Sequence, residues 1–429
     1  MSRGAGRRAL AILLLAVPAA AQDEGSGRQA FLGARILPGS GEPIDDGALL
    51  VRYGRVTSVG PRWAGEIPAD AEVVDLSGKF VVPGLVDAHA HVGGTQGLES
   101  GDQHHTDEIV ADQLARYARY GVTSVFSLGG DRGPGFRAAS RRESFEIDRA
   151  RLFVAGPVVE AATPAEAERE VERAAGLGAD LIKIRVDDFF DTRDKMPPHV
   201  FRAVIESAHA RGLRVAAHVY ELEDAKALVE AGADLLAHSV RDREVDDELI
   251  GLMRARDVCL CPTLTRDVSV FAYAERPAFF DDPFFLAEVD PAVVAALEDP
   301  ARQRGVAADE TAARAREALE IARRNLARLA DSGVPIAFGT DSGPPGRFQG
   351  FFEHLELEMM VAAGLTPARA LQAATVDAAR CAGHAGRIGA LEPGAWADFV
   401  VLDADPAADI RNLRRIDSVW IAGRRVAGR

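Results

Sequence analysis

Residues 81–92 read VVPGLVDAHAHV. A largely apolar run, interrupted by Pro83-Gly84 and Asp87, closes on a pair of histidines. Such a run reads as a strand buried on both faces, which is the habit of parallel sheets. Successive strand side chains point to opposite sides, so His89 and His91 leave the same face. Four more runs carry such a residue at or near their ends. Lys183 sits in DLIKIRV (180–186), His218 in RVAAHVY (214–220), His238 in LLAHSV (235–240) and Asp341 in PIAFGTDS (335–342). Nitrogen and oxygen ligands in this mixture suit zinc or a similar divalent ion. One such residue at a strand end means little; six in this order mark a metal site.

Outward from these runs the chain repeats strand then helix. Candidate strands are 81–91, 122–128, 151–158, 180–186, 214–220, 235–240, 258–264 and 335–341. Ala/Glu/Arg-rich stretches at helical spacing, such as 164–178, 197–211, 223–231 and 244–256, lie between them. Eight such units predict an α/β fold built on a (β/α)8 TIM-type barrel, whose functional groups gather at the C-terminal ends of the strands. All six residues lie at such ends. Residues 29–80 and 387–429 alternate as strands instead, with turn signals at Gly39-Ser40-Gly41 and Tyr53-Gly54. The two chain ends are expected to form one small β-sandwich domain. The division is then 1–21 signal peptide, 22–79 first part of the small β domain, 80–384 metal-binding barrel and 385–429 second part. The longest insertion, roughly 265–310, contains FAYAERPAFFDDPFF. It reads equally as a lid over the catalytic face or as a packing element.

The 429 residues are 47% hydrophobic and 27% charged, the balance of an ordinary globular protein. A formal charge of −15 argues against nucleic acid or an anionic membrane as the main partner. At the N-terminus Arg3, Arg7 and Arg8 precede ALAILLLAVPAAA, an apolar stretch too short to span a bilayer. Ala19-Ala20-Ala21 fits a small-x-small cleavage site, so a signal peptide cut near Ala21/Gln22 and a periplasmic or secreted location are expected. The competing reading is an uncleaved anchor. Loss of the three arginines takes the charge of −15 to −18. Nothing else reads as transmembrane, and a homo-oligomer is compatible with the sequence. Cys259, Cys261 and Cys381 are an odd count, which reads as no disulfide framework. Cys259 and Cys261 alternate on one strand and read as small buried hydrophobes.

The motifs PGLVDAHAH (83–91), LIKIRV (181–186), AAHVY (216–220), AHSV (237–240), FGTDSG (338–343) and GRIGALEPGAWADFVVLDADP (386–406) are similar to those of the metal-dependent amidohydrolase superfamily, nearest its imidazolonepropionase-like and Xaa-Pro dipeptidase-like branch. The resemblance runs over nearly all of the chain after the signal segment. It implies two divalent ions, zinc first among candidates, held by His89, His91, Lys183, His218, His238 and Asp341. A protonated lysine has no lone pair to offer a metal. The resemblance therefore implies that Lys183 is carbamylated by CO2 and bridges both ions; a strand-capping or substrate-binding lysine is the alternative. Two ions sharing a water would leave hydroxide near neutral pH. Asp341 would accept its proton and pass it to the leaving nitrogen. Asp87 shares the face of His89 and His91, and either orients a ligand or is simply buried. His104, His105, His354 and His384 match no ligand position, and His199 and His209 lie on helical stretches.

The expectation is thus an exported, binuclear, metal-dependent hydrolase of an amide bond in a dipeptide or N-acyl amino acid. A cyclic amide of the imidazolone or lactam type is the second reading. Phosphoester or lactone hydrolysis on the same scaffold remains open, and a non-catalytic binding barrel is disfavoured because no ligand is missing. Arg185 shares a strand face with Lys183 and Tyr220 shares one with His218, each one step nearer the barrel mouth. A guanidinium and a phenol there would grip a substrate carboxylate. Alternatively Arg185 pairs with Asp187 or Asp188.

Overall fold

The computed structural model describes residues 27–188 and 194–428. The expected signal segment 1–21 and its cleavage point near Gln22 lie outside them. Seven short parallel strands make up the central layer: β1 Leu85–Ala90, β2 Val122–Ser127, β3 Arg151–Val154, β4 Leu181–Val186, β5 Arg214–Val219, β6 Leu235–Leu236 and β7 Cys259–Leu260. Their residues are almost all buried, as strands covered on both faces must be. Helices return the chain between them, among them Asp107–Arg119, Pro164–Leu177, Pro198–His209, Leu222–Ala231 and Asp247–Arg256. Local chemistry sets their ends. The hydroxyls of Thr106 and Thr163 and the carboxylate of Asp246 accept the N–H of Ile109, Glu166 and Leu249, capping groups that have no partner within the helix. Gly178 and Gly232 stop two helices in the left-handed conformation.

The strands form two arcs, β3-β2-β1 and β4-β5-β6-β7, rather than an unbroken closed barrel. Single bridges span the gaps: Val159 with Ile184, Leu260 with Ile336, and Ala90 with Ser342. The eighth candidate strand, 335–341, is therefore present as a threaded segment and not as a regular strand. Its irregularity has a cause. Gly339 passes so close to β1 that a Cβ there would lie 2.8 Å from the His89 nitrogen. Asp341 then takes a left-handed φ of 57°. The run 81–91 likewise divides at Gly84: Phe80–Pro83 leaves the barrel and joins the sheet of the chain ends.

That sheet is a single hydrogen-bonded mixed layer of eight strands where a sandwich was expected. Its order is Arg424–Gly428, Ile416–Ile421, Phe399–Leu402, Phe80–Pro83, Arg28–Ile36, Ile44–Arg52, Arg55–Pro61, with Glu72–Asp75 also paired to Arg28–Ile36. Tyr53 and Gly54, both at positive φ, make the two-residue turn that its hairpin requires. Phe31, Phe399 and Trp420 pack edge-to-face and stacked in its core. The sheet is pinned to the barrel by one buried ion pair. Arg151 of β3 gives Nε and Nη2 to the two carboxylate oxygens of Asp398, at 2.6 and 3.0 Å, and Asp398 also accepts from the Ala422 N–H. The guanidinium stacks 4.0 Å over Trp396.

Two readings are corrected or resolved here. Cys259 forms a disulfide with Cys381, 122 residues away, with Cα atoms 6.0 Å apart; Cys261 alone keeps a free buried thiol. The odd count left room for one pair, and sequence separation hid it. The 265–310 insertion is a run of short helices with a core of its own, in which Tyr273, Phe280, Phe285 and Leu297 pack against Tyr120, Phe351 and Phe352. No helix among the described residues is long and apolar enough to cross a membrane.

The Arg151–Asp398 pair yields a stability test. Asp398→Ala strands a buried guanidinium, a change that costs on the order of 3–5 kcal/mol. Urea unfolding of the variant should show that loss; a change below about 1 kcal/mol would mean that the pair is not what fastens the sheet to the barrel.

Candidate metal centre

The cluster forms where β1 meets the threaded segment. His89 is 1% exposed at the end of β1, and His91 follows on the same side. The Ala88 N–H donates to the Phe338 carbonyl, the His91 N–H to Ser342, and the Asp341 N–H to His89 at 2.6 Å. This lacing presents the Asp341 carboxylate to both imidazoles. Its Oδ1 lies 2.9 Å from His91 Nε2 and 3.8 Å from His89 Nε2. Ligand atoms of His89, His91 and Asp341 all fall within 4.8 Å of one another.

The hydrogen bonds say what these atoms face. His91 Nδ1–H donates to the Gly129 carbonyl at 3.0 Å, so in the neutral ring Nε2 holds a lone pair. That lone pair points at a carboxylate oxygen. Two electron-pair donors converge, and only a proton or a metal ion between them satisfies both. The donor set thus fits a divalent cation.

The other ligand candidates border this trio. Lys183 Nζ lies 3.4 Å from His89 Nε2. The ring of His238 is 4.7 Å from His89 and 4.2 Å from His218, centroid to centroid. His238 Nδ1 is 2.6 Å from Thr263 Oγ1, which leaves Nε2 as its ligand atom. His218 Nε2–H donates to Asp187 Oδ2 at 2.8 Å, which leaves Nδ1. The structure therefore brings together all six residues singled out in the sequence.

Burial sets the charge states. It pushes His89 and His238 well below the usual histidine range, and His218 down to about 3, so these rings are neutral and able to donate. Burial also brings Lys183 down to about 7. For Asp341, burial opposes ionisation, yet the charge of the Arg347 guanidinium beside it holds its carboxyl well below the usual range. Beneath the cluster, Asp87 accepts the His89 N–H at 2.8 Å, so it fixes the strand end through the backbone and not through an imidazole. Thr340 Oγ1 sits 2.8 Å from Asp87 and 2.9 Å from Glu353. One hydroxyl has one proton for two carboxyls, so a carboxyl must carry another. Burial and the neighbouring Glu353 push Asp87 well up, in keeping with that.

Of the two expected substrate groups, Arg185 lies opposite His218 across the β4–β5 ladder and lines a cavity of ≈ 780 Å³ that Asp187 and Lys195 share. Tyr220 lies beneath Arg241, whose guanidinium is 4.8 Å from its ring centre. Neither is a ligand of the trio. His354 bonds the Tyr120 carbonyl, His384 packs on Phe153 and His209 pairs with Asp234. Sequence reading gave no role to Arg347, Thr263 and Glu353, and treated Asp187 only as a partner for Arg185. They stand on loops and a helix face without periodicity, and only the fold brings them to the site.

The model of the amidohydrolase family matches residues 80–426. Imidazolonepropionases of Deinococcus radiodurans and Deinococcus deserti are 30% and 29% identical; each alignment covers 89% of this chain and 92% of the relative. The crystal structure of a Xaa-Pro dipeptidase with methionine in its active site superposes with a TM-score of 0.74 at 20% identity, over 93% of this chain and 99% of that one, which is a likeness of fold.

The carboxylate–imidazole contact at β5 generates a test. Asp187→Ala should weaken divalent-ion affinity by roughly 10–100-fold, because the ring it orients is released. Titration against a chelating indicator measures this; unchanged affinity would remove Asp187 from any role at the centre.

Proposed function

The chain belongs to the amidohydrolase family, and from that premise we propose that it is a binuclear metal-dependent hydrolase cleaving the amide bond of a dipeptide or N-acyl amino acid. The observation that carries the metal dependence is the convergence of His91 Nε2 and Asp341 Oδ1 at 2.9 Å, with His89 and Lys183 beside them. His89, His91 and Asp341 would hold one ion, and His218 and His238 the other. Zinc suits imidazole and carboxylate donors in this number. Lys183 would join them as a carbamate. Its neutral amine attacks CO2, a C–N bond forms, and one proton leaves for solvent. Burial that brings this amine to about 7 supplies the reactive neutral form near physiological pH.

Divalent ions there would acidify a water toward neutral pH and polarise the scissile carbonyl. The chain's own groups do the rest. Asp341, ionised and fixed against β1, takes the water's proton on its carboxylate and returns it to the leaving nitrogen. Neutral His89, His218 and His238 keep their lone pairs for ligation. Arg185 and Tyr220 would hold a substrate carboxylate beside His218, which favours substrates with a free C-terminus. A cyclic amide is the second reading, supported by the 29–30% identity to imidazolonepropionases. Export is part of the proposal. It rests on the composition of residues 1–21 and agrees with a Cys259–Cys381 disulfide, since such bonds persist in oxidising compartments.

Metal analysis of the purified protein, run with a screen of dipeptides, N-acyl amino acids, lactams and lactones, tests the reading. About two divalent ions per chain and amide hydrolysis are expected; hydrolysis confined to lactones would overturn the substrate class. Asp341→Asn and His89→Ala should each lower kcat by orders of magnitude while leaving the fold intact. Arg185→Met should erase any preference for a free acid over its C-terminal amide.

Lys183 adds a pH dependence. With its folded pKa near 7, the neutral amine rises from about a tenth at pH 6 to about nine tenths at pH 8. At fixed dissolved CO2, reactivation of metal-free enzyme should therefore quicken roughly tenfold between those values. A rate flat in pH and indifferent to CO2 would argue against the carbamate.

A further inference from the structure

The Asp341 carboxylate has two oxygens and two sets of neighbours. Oδ1 faces His91 and His89, whereas Oδ2 accepts from Arg347 Nη1 at 2.6 Å. Arg347 is itself held from the other side: its Nε donates to Ser269 Oγ at 3.0 Å. Ser269 belongs to the helix Leu264–Phe271, the first element of the insertion, and donates to the Arg266 carbonyl one turn back. The loop that carries Arg347 is closed by its own backbone, Gly343 N–H to the Arg347 carbonyl and Arg347 N–H to the Pro344 carbonyl. The Tyr273 hydroxyl, also from the insertion, donates to the Gly346 carbonyl. A continuous chain of hydrogen bonds thus runs from the insertion to the carboxylate that must face the metal.

We propose that Arg347 is a positioning residue for Asp341, anchored by Ser269, and that the insertion serves catalysis through this chain. The proposal rests on the hydrolase reading above and assigns the insertion a part in it. A carboxylate on one rotatable bond can turn either oxygen, or its edge, toward a cation. A guanidinium fixed on Oδ2 removes that freedom and leaves Oδ1 to the histidines. The arrangement makes Arg347 act through Asp341, so its loss should lower turnover and metal affinity more than substrate binding.

Arg347 also lines a cavity of ≈ 400 Å³ between the helix Asp107–Arg119 and the insertion, walled by Ile109, Phe285 and Phe348 among others. A small cation can therefore reach the place a truncated side chain leaves, which permits chemical rescue. In Arg347→Ala, kcat should fall roughly 10–100-fold with KM changed less than about twofold. Co2+ added to metal-free protein should bind roughly tenfold more weakly, and its visible absorption should shift as the carboxylate reorients. Arg347→Lys should restore part of both, and millimolar guanidinium should restore part in Arg347→Ala. Ser269→Ala, which leaves the charge in place, should move both readouts in the same direction by less.

An unchanged Co2+ affinity and spectrum in Arg347→Ala, or a raised KM at unchanged kcat, would overturn the proposal, the latter by making Arg347 a substrate-binding group. Should Arg347→Ala not fold, Ser269→Ala and Arg347→Lys decide it by the same readouts. The Co2+ titration needs no substrate. Failure to find an amide that the wild type hydrolyses would therefore count against the hydrolase reading alone, and a normal Co2+ centre in Arg347→Ala against this proposal alone.

Discussion

Asp341 is a non-glycine residue in the left-handed region, a conformation that costs about 1–2 kcal/mol for a side chain with a Cβ. It persists because its surroundings leave it no alternative. Its N–H is tied to His89, its neighbours on either side pair with β1, and Gly339 has no Cβ to hold the two segments apart. The left-handed turn at Asp341 and the close approach at Gly339 together set its carboxylate beside His89 and His91.

Electrostatics follow from depth. At the strand ends, burial holds His89, His218 and His238 neutral and brings Lys183 down to about 7, while Asp341 stays ionised beside Arg347. One layer down, Asp87, Thr340 and Glu353 share protons, with Ser342 and Tyr117 extending the network through 2.6 and 2.7 Å contacts. A connected buried network of this kind rigidifies what rests on it. Here the backbone of His89 rests on it, through Asp87.

The six residues were legible because each falls in or at the end of an apolar run, and an apolar run is a property of neighbouring positions. The same is true of β2, β4 and β5, and of the helices 164–177 and 198–209. What local pattern could not show is what depends on distant segments meeting. Cys381 finds Cys259 only because a helix near the C-terminus tucks under β7. Arg347 and Ser269 are unremarkable in sequence, 78 positions apart, and meaningful only as a pair. The eighth strand read as regular because Gly339 and Asp341 break its geometry and not its hydropathy. The chain-end strands were recognisable as strands, but their joining into a single sheet depends on Phe80–Pro83, which sits between strands from opposite ends of the sequence.

The disulfide has a topological consequence. Its two sulfurs close a covalent ring that contains the whole insertion, Asp341 and Arg347. A protease that cuts an exposed turn of the insertion would nick the ring without dividing the molecule. The segment bearing Ser269 and the one bearing Arg347 would remain tethered at β7, where the rest of the barrel could keep them in register. In an extracellular setting the insertion could thus lose its continuity, and even vary in length, while the carboxylate it helps to orient stayed moored to the same strand end.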